Sequence, residues 1–191
     1  MEFVLSLLIG ISLSATSGFR VFVPLLVLSI ASLAGWVELS STFNWIGTYP
    51  VLAALAVATI VELVAYFFPV VDNMLGAVSV PLSMLAGILI TASVLIDLPP
   101  LIAWTLAVVA GGGAALGGSA ASNIVHAGST ASTAGTANPI ISFLETVFSF
   151  VISILAVLVP VLAFLLLLYI IFIIFRVLRR ARASRAGKLQ P

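Results

Sequence analysis

Residues 3–35 read FVLSLLIGISLSATSGFRVFVPLLVLSIASLAG, and this stretch decides the fold. As one continuous helix it would measure about 50 Å, well beyond a hydrocarbon core of roughly 30 Å. Its middle is not apolar: Ser12, Ser14, Thr16, Ser17, Gly18 and Arg20 form a polar, small-residue knot. The flanks, 3–15 and 21–35, would each span only about 20–23 Å as helix. These lengths predict two half-spans meeting at mid-depth, or a re-entrant hairpin. Pro24 suits the first turn of the restarting helix, where its missing N–H is not needed.

The whole chain agrees with a bilayer as its solvent. Of 191 residues, 63% are hydrophobic and only 7% charged, where a soluble domain carries roughly a quarter charged residues. Mean hydropathy is +1.37. The expected fold is an all-α, polytopic transmembrane helix bundle with broken or re-entrant helices near 14–20 and 127–139. A single transmembrane domain is expected over 1–175, followed by a basic cytoplasmic tail over 176–191. Arg20 is the sole basic residue before Arg176, whereas Arg176, Arg179, Arg180, Arg182, Arg185 and Lys188 crowd the C-terminus. Such a cluster predicts a cytoplasmic tail resting on anionic lipid head groups. No base-reading or aromatic pattern accompanies the arginines, so no nucleic-acid partner is expected. The N-terminus lacks the basic start of a signal peptide, and the first apolar segment is expected to stay in the mature protein.

Further along, 36–50 is amphipathic, with Trp36, Trp45 and Tyr49 among polar residues, as in an interfacial loop. A span is expected over 51–68, carrying Glu62 on one helical face with Thr59 and Tyr66. A short connection over 69–73 holds Asp72, a further span covers 75–96, and Asp97-Leu98-Pro99-Pro100 makes a tight turn. The span from Leu101 becomes very rich in small residues over 111–122, which lets helices approach closely in lipid. Segment 127–139 is polar but uncharged, as in a re-entrant or cavity-lining stretch. The last apolar run, 140–175, is too long for one upright span, so it protrudes or bends at Pro160. Its first half carries the polar stripe Ser142, Glu145, Ser149 and Ser153 and belongs inside the bundle; its second half belongs against lipid or another protomer.

Arg20 is the sharpest chemical feature. An arginine inside a membrane segment needs a partner or water, and Glu62, Asp72 and Glu145 are the candidate partners. Three roles are open: a structural ion pair, an anion or proton-coupled site, or snorkelling to an interface. On the functional side, Arg20, Ser17, Gly18 and Asn138 are candidate substrate-binding residues, and Glu62, Asp72, Glu145 and His126 are candidate coupling or ion-pair residues. Asn138-Pro139 resembles an N-cap followed by a first-turn proline, and converging helix N-termini can hold anionic groups. Against this, Ser142-x-x-Glu145 fits a capping box, and His126 at a helix end fits a capping group that titrates near neutrality. No cysteine is present, one histidine builds no metal centre, and no nucleophile elbow, phosphate loop or dinucleotide fingerprint occurs. No catalytic residues, metal or cofactor are therefore expected. These residues lead to a small transporter, a channel or an anionic head-group translocator, in which Arg20 and the two broken-helix N-termini bind an anionic group and Glu62 or Glu145 couples or counterbalances it; the alternative is a non-transporting scaffold or assembly subunit. Small size favours a homo-oligomer in either case.

The segments SATSGFRVFVPLL (14–26), VELV (61–64) with PVVD (69–72), and HAG (126–128) with NPIISFLE (138–145) resemble those of the bacterial membrane proteins grouped as domain of unknown function 4126. The resemblance covers nearly the whole chain. It implies a bacterial inner-membrane location and no established activity. It also implies further basic residues around positions 126 and 130 and a second acid after position 145. This chain has His126, Thr130 and Thr146 there, so a shared charged site is reduced or rewired in it.

Overall fold

The computed structural model describes residues 2–65, 69–96, 98–133 and 135–186, with side chains left undescribed at 69–77, 174, 175 and 177–186. The described residues form helices joined by short turns and loops, with no strand. Helix α1 (Glu2–Ser17) ends at the polar knot, and α2 (Phe22–Leu33) restarts after Gly18–Val21. A 3-10 turn (Ser41–Gly47) leads into α3 (Tyr49–Ala65), followed by α4 (Pro69–Val94). Helix α5 (Pro100–Leu106), a π-helical stretch (Ala107–Gly112) and α6 (Gly113–Thr133) run on as one rod. Helices α7 (Asn138–Leu158) and α8 (Pro160–Ala186) complete the bundle.

Cross-contacts fix the direction of each helix. Gly10 of α1 abuts Thr91 and Val94 near the end of α4, while Ser17 donates to the Ser83 carbonyl and Gly18 packs on Gly118. Helix α2 then runs back. Ser29 donates to the Ile46 carbonyl, the Ser40 N–H reaches the Ser93 carbonyl, and Phe43 meets Trp104. Both outer ends of the α1–α2 pair thus lie where α4 finishes, which makes the pair a re-entrant hairpin with Arg20 at its tip. Helix α3 runs parallel to α1, α7 antiparallel to it, and α8 turns back from Pro160 towards the tip side. The interior is correspondingly mixed: Leu13, Leu28, Ile90, Val94, Ala107, Ala156 and Ala163 share one apolar cluster, beside the fully buried hydroxyls Ser12, Ser14, Thr16 and Ser17.

Among the described residues two helices, Pro100–Thr133 and Asn138–Leu158, are long and apolar enough to cross a bilayer, and the pair Ser41–Gly47 with Tyr49–Ala65, bent by 62°, brings the number to three if it forms one span. The protein is a membrane-spanning helical bundle. The first of these helices, about 51 Å at 1.5 Å per residue, outruns the hydrocarbon. That accounts for segment 127–139: helix continues to Thr133, and the chain reverses through Gly135, whose φ of +83° suits glycine. The uncapped polar residues are the outer end of a long helix followed by a turn.

Several local expectations change. Residues 69–73 are not a connection, because Pro69 opens α4; proline is tolerated at a helix start, where no N–H is needed. Ser142 and Glu145 form no capping box, since α7 begins four residues before Ser142 and its N-cap is Ala137. Asn138 is correspondingly the first helical residue and not the N-cap; that position is Ala137, which has no side-chain cap to offer and whose N–H donates to Thr133 Oγ1. At the other end Pro160 does break the run, with Val159 at φ −139° between α7 and α8. The polar stripe of α7, Ser142, Glu145, Ser149 and Ser153, is buried as its spacing predicts, while α8 exposes Leu165, Leu168, Ile171 and Phe172.

Candidate functional site

The α1–α2 break is built from the knot residues themselves. Gly18, Phe19 and Arg20 turn the chain through hydrogen bonds to the Ala15 and Thr16 carbonyls. Ser17 and Ser14 spend their hydroxyls on the Ser83 and Gly87 carbonyls, and Ser83 meets Ser119 at 2.6 Å. Thr16 contacts Ser153, and Ser149 donates to the Thr16 carbonyl. The hydroxyls therefore satisfy a backbone that is broken inside an apolar bundle, as the absence of water there requires. Ser17 and Gly18 take part in helix packing, and neither faces a described cavity.

Arg20 projects from this turn into the interior and is 1% exposed. Its Nε donates to Thr146 Oγ1 at 2.8 Å and its Nη2 to the Ser142 carbonyl at 2.6 Å. Thr146 passes its own hydroxyl proton to the same carbonyl, at 2.9 Å. Nη2 also lies 3.6 Å from Glu145 Oε2, and that oxygen is 3.2 Å from His126 Nε2. The result is a chain from a permanent cation through a carboxylate to an imidazole, crossing from the hairpin tip to α7 and α6. It is dry at the arginine end and 17% exposed at the histidine end. Glu145 Oε1 is buried and makes no hydrogen bond among the described residues.

Glu62 sits on the other side of the tip. Its Oε1 accepts from the Val21 N–H at 2.8 Å and its Oε2 from the Phe22 N–H at 3.1 Å. A carboxylate on α3 thereby caps the N-terminus of α2 through space, where both orphan donors and the helix dipole favour negative charge. Outward from Glu62 a cleft of about 650 Å³ opens between α2, α3 and α4, walled by Phe22, Ala54, Val57, Ala58, Val61 and Leu82.

Of the residues singled out from sequence, Arg20, Glu145 and His126 form one chain and Glu62 lies beside it. Asn138 stands apart, partly exposed, donating to Thr130 Oγ1 at 3.2 Å. The side chain of Asp72, like that of Tyr66 and those of the basic tail beyond Arg176, lies outside the described residues. Thr146, which holds the guanidinium, entered from the sequence only through the resemblance, as the residue standing where a second acid is implied. A signal in the residues themselves is that it shares a buried helix face with Ser142 and Ser149, at spacings of four and three.

The chain matches the family model described as "Domain of unknown function (DUF4126)" over residues 7–180. No curated protein and no solved structure matches it.

Proposed function

This chain belongs to the DUF4126 family, and we propose that it works as a small membrane transporter whose proton-responsive element is the Arg20–Glu145–His126 chain. The observation that carries this reading is Glu145, held between a cation that cannot titrate and an imidazole that can. Ion pairs in lipid are costly and a simple tie between helices needs two charges; here four ionisable groups meet at one re-entrant tip. With both carboxylates ionised and His126 neutral, one arginine against Glu62 and Glu145 leaves one negative charge; a proton on His126 or Glu145 cancels it. Loading a proton therefore changes the electrostatic cost of the whole tip, which a hinge at 18–21 can convert into movement.

Arg20 binds an anion, a lipid head group included, only after releasing Glu145 or the Ser142 carbonyl. A direct anion site at Arg20, Ser17, Gly18 and Asn138 thus belongs to a second conformation of the hairpin. The basic tail, on the α8 end beyond Arg176, rests on anionic head groups and sets this end of the bundle in the cytoplasm of the inner membrane. The start of α1 then faces the opposite side.

Proteoliposomes with a trapped pH dye and an acid interior test the reading. One class among a panel of organic anions and cations is expected to discharge the gradient with wild type, and Glu145→Gln to slow that discharge about tenfold or more. Discharge no faster than in empty liposomes for every compound overturns it. The second reading, a scaffold subunit, is favoured by two observations: Arg20 and Glu145 meet as a buried pair with Asn138 apart from them, and Gly113, Gly117, Ala120, Ile124 and Gly128 form an exposed face of α6, with open space beside each of the three glycines.

A further inference from the structure

We propose that the cleft beside Glu62 is a binding site for a lipophilic cation that enters from the bilayer. The assignment names the substrate class of the transport reading and rests on that reading for its purpose, although binding itself is independent of it.

The walls come first. The cleft runs along α3 from Ala53 to Ala65, closed on its flanks by Val21 and Phe22 of α2 and Ser79 and Leu82 of α4. From Ala53 to Glu62 it measures about 14 Å along the helix. Its volume, about 650 Å³, lies within the range of sites for small organic molecules, roughly 300–1,000 Å³. The small side chains of Ala53, Ala54, Ala58 and Ala65 make it; valines or leucines there would fill it.

The mouth comes second. Val57 and Val61 on α3 and Leu82 on α4 line the cleft and are exposed apolar residues. In a bundle that spans a membrane such a rim faces acyl chains, so an occupant arrives from lipid and needs an apolar body.

The inner end supplies the charge. Among the cleft-lining residues Glu62 is the one that ionises. Each of its oxygens spends one acceptor position on an α2 N–H, and a carboxylate offers about four. Phe22 also lines the cleft, and an aromatic residue there is compatible with a cation. Apolar walls, an aromatic ring and one carboxylate are complementary to a cation with a greasy body. An anion of equal shape would meet the carboxylate with no basic side chain among the lining residues to offset it. The geometry also matches the orientation of an amphiphile. Glu62 lies near the hairpin tip, and the apolar length of the cleft extends from it along α3 to Ala53.

Equilibrium binding of tetraphenylphosphonium to the purified full chain in zwitterionic lipid nanodiscs tests the proposal, with tetraphenylborate as the isosteric anion and empty nanodiscs as background. Saturable binding of the phosphonium is expected, with no displacement by the borate. Glu62→Gln is expected to weaken it about tenfold or more. Ala58→Phe, which narrows the cleft and leaves the Glu62 hydrogen bonds intact, is expected to abolish it. Should Glu62→Gln fail to fold, the ion contrast and Ala58→Phe decide. Equal displacement by the borate, or undiminished binding in Ala58→Phe, overturns the proposal and leaves a groove for lipid chains. Because the measurement imposes no gradient, absence of transport would overturn the previous reading alone, and absence of phosphonium binding this one alone.

Discussion

Arg20→Gln is expected to destabilise the bundle by about 3–5 kcal/mol, the range for removing one partner of a buried charge pair. The guanidinium does three things at once: it holds Thr146, satisfies the Ser142 carbonyl and faces Glu145. Glutamine can replace one of the two hydrogen bonds but not the charge, so Glu145 is left in an apolar interior with His126 as its remaining partner. The measurement is reversible denaturation in detergent micelles, followed by the loss of helical signal. Glu145→Gln placed on top of Arg20→Gln is expected to recover part of the loss, because the stranded carboxylate is then gone; the double-mutant cycle isolates the coupling. Arg20→Lys is expected to recover little. An ammonium cannot direct two donors along the divergent lines that Nε and Nη2 take to Thr146 and Ser142. A change within about 0.5 kcal/mol for Arg20→Gln, the range of ordinary surface substitutions, would show that water reaches the tip, and the dry ion pair would have to be abandoned.

That site was half legible from the sequence, and the halves divide by the range of the interactions. Composition and segment lengths depend on local properties, so the all-helical membrane bundle, the interrupted first segment and the break at Pro160 follow from residues 3–35 and 140–175 alone. The need of Arg20 for a partner was equally plain, because its cost in lipid is intrinsic. Which acid answers it was not, since Glu62 and Glu145 are about equally apolar in their surroundings. Only the packing of α7 against α1 and α2 sets Glu145 next to the guanidinium, and only the return of α2 brings the Val21 and Phe22 N–H groups onto Glu62. The Ser142-x-x-Glu145 pattern misled for a related reason. A capping box is a statement about where a helix starts, and α7 starts at Asn138, because proline fits the first turn whatever lies four residues later. The hairpin direction was the largest undetermined quantity; both half-spans have the same lengths whether the chain crosses or returns.

The small-residue run at 111–122 was legible as a contact surface but not as two surfaces, and substitutions should tell them apart. Gly118→Val is expected to cost about 3 kcal/mol, at the upper end of overpacking penalties, whereas Gly117→Val should stay within about 1 kcal/mol of wild type. A Cβ at Gly118 would overlap the Ala15 carbonyl oxygen and stand 3.1 Å from Gly18 Cα; a Cβ at Gly18 would overlap backbone atoms of Ala115 and Ser119. Both obstacles are backbone, which cannot swing aside as a side chain can, so α1 and α6 must part. Parting them withdraws Ser17 and Ser83 from their partners and lifts the turn that aims Arg20, so Gly118→Val should also weaken the Arg20–Glu145 coupling measured in the cycle above. At Gly117 an added Cβ meets nothing within 4 Å, and valine in place of glycine slightly favours the helix. Unfolding of the two variants side by side in one detergent gives the comparison. Equal losses would mean that the close approach of α1 to α6 is not what holds the hairpin. If Gly117→Val instead leaves the unfolding midpoint unchanged but lowers the apparent mass of the detergent complex, the exposed glycine face joins copies of the chain. The tip chemistry would then have to be understood within an oligomer.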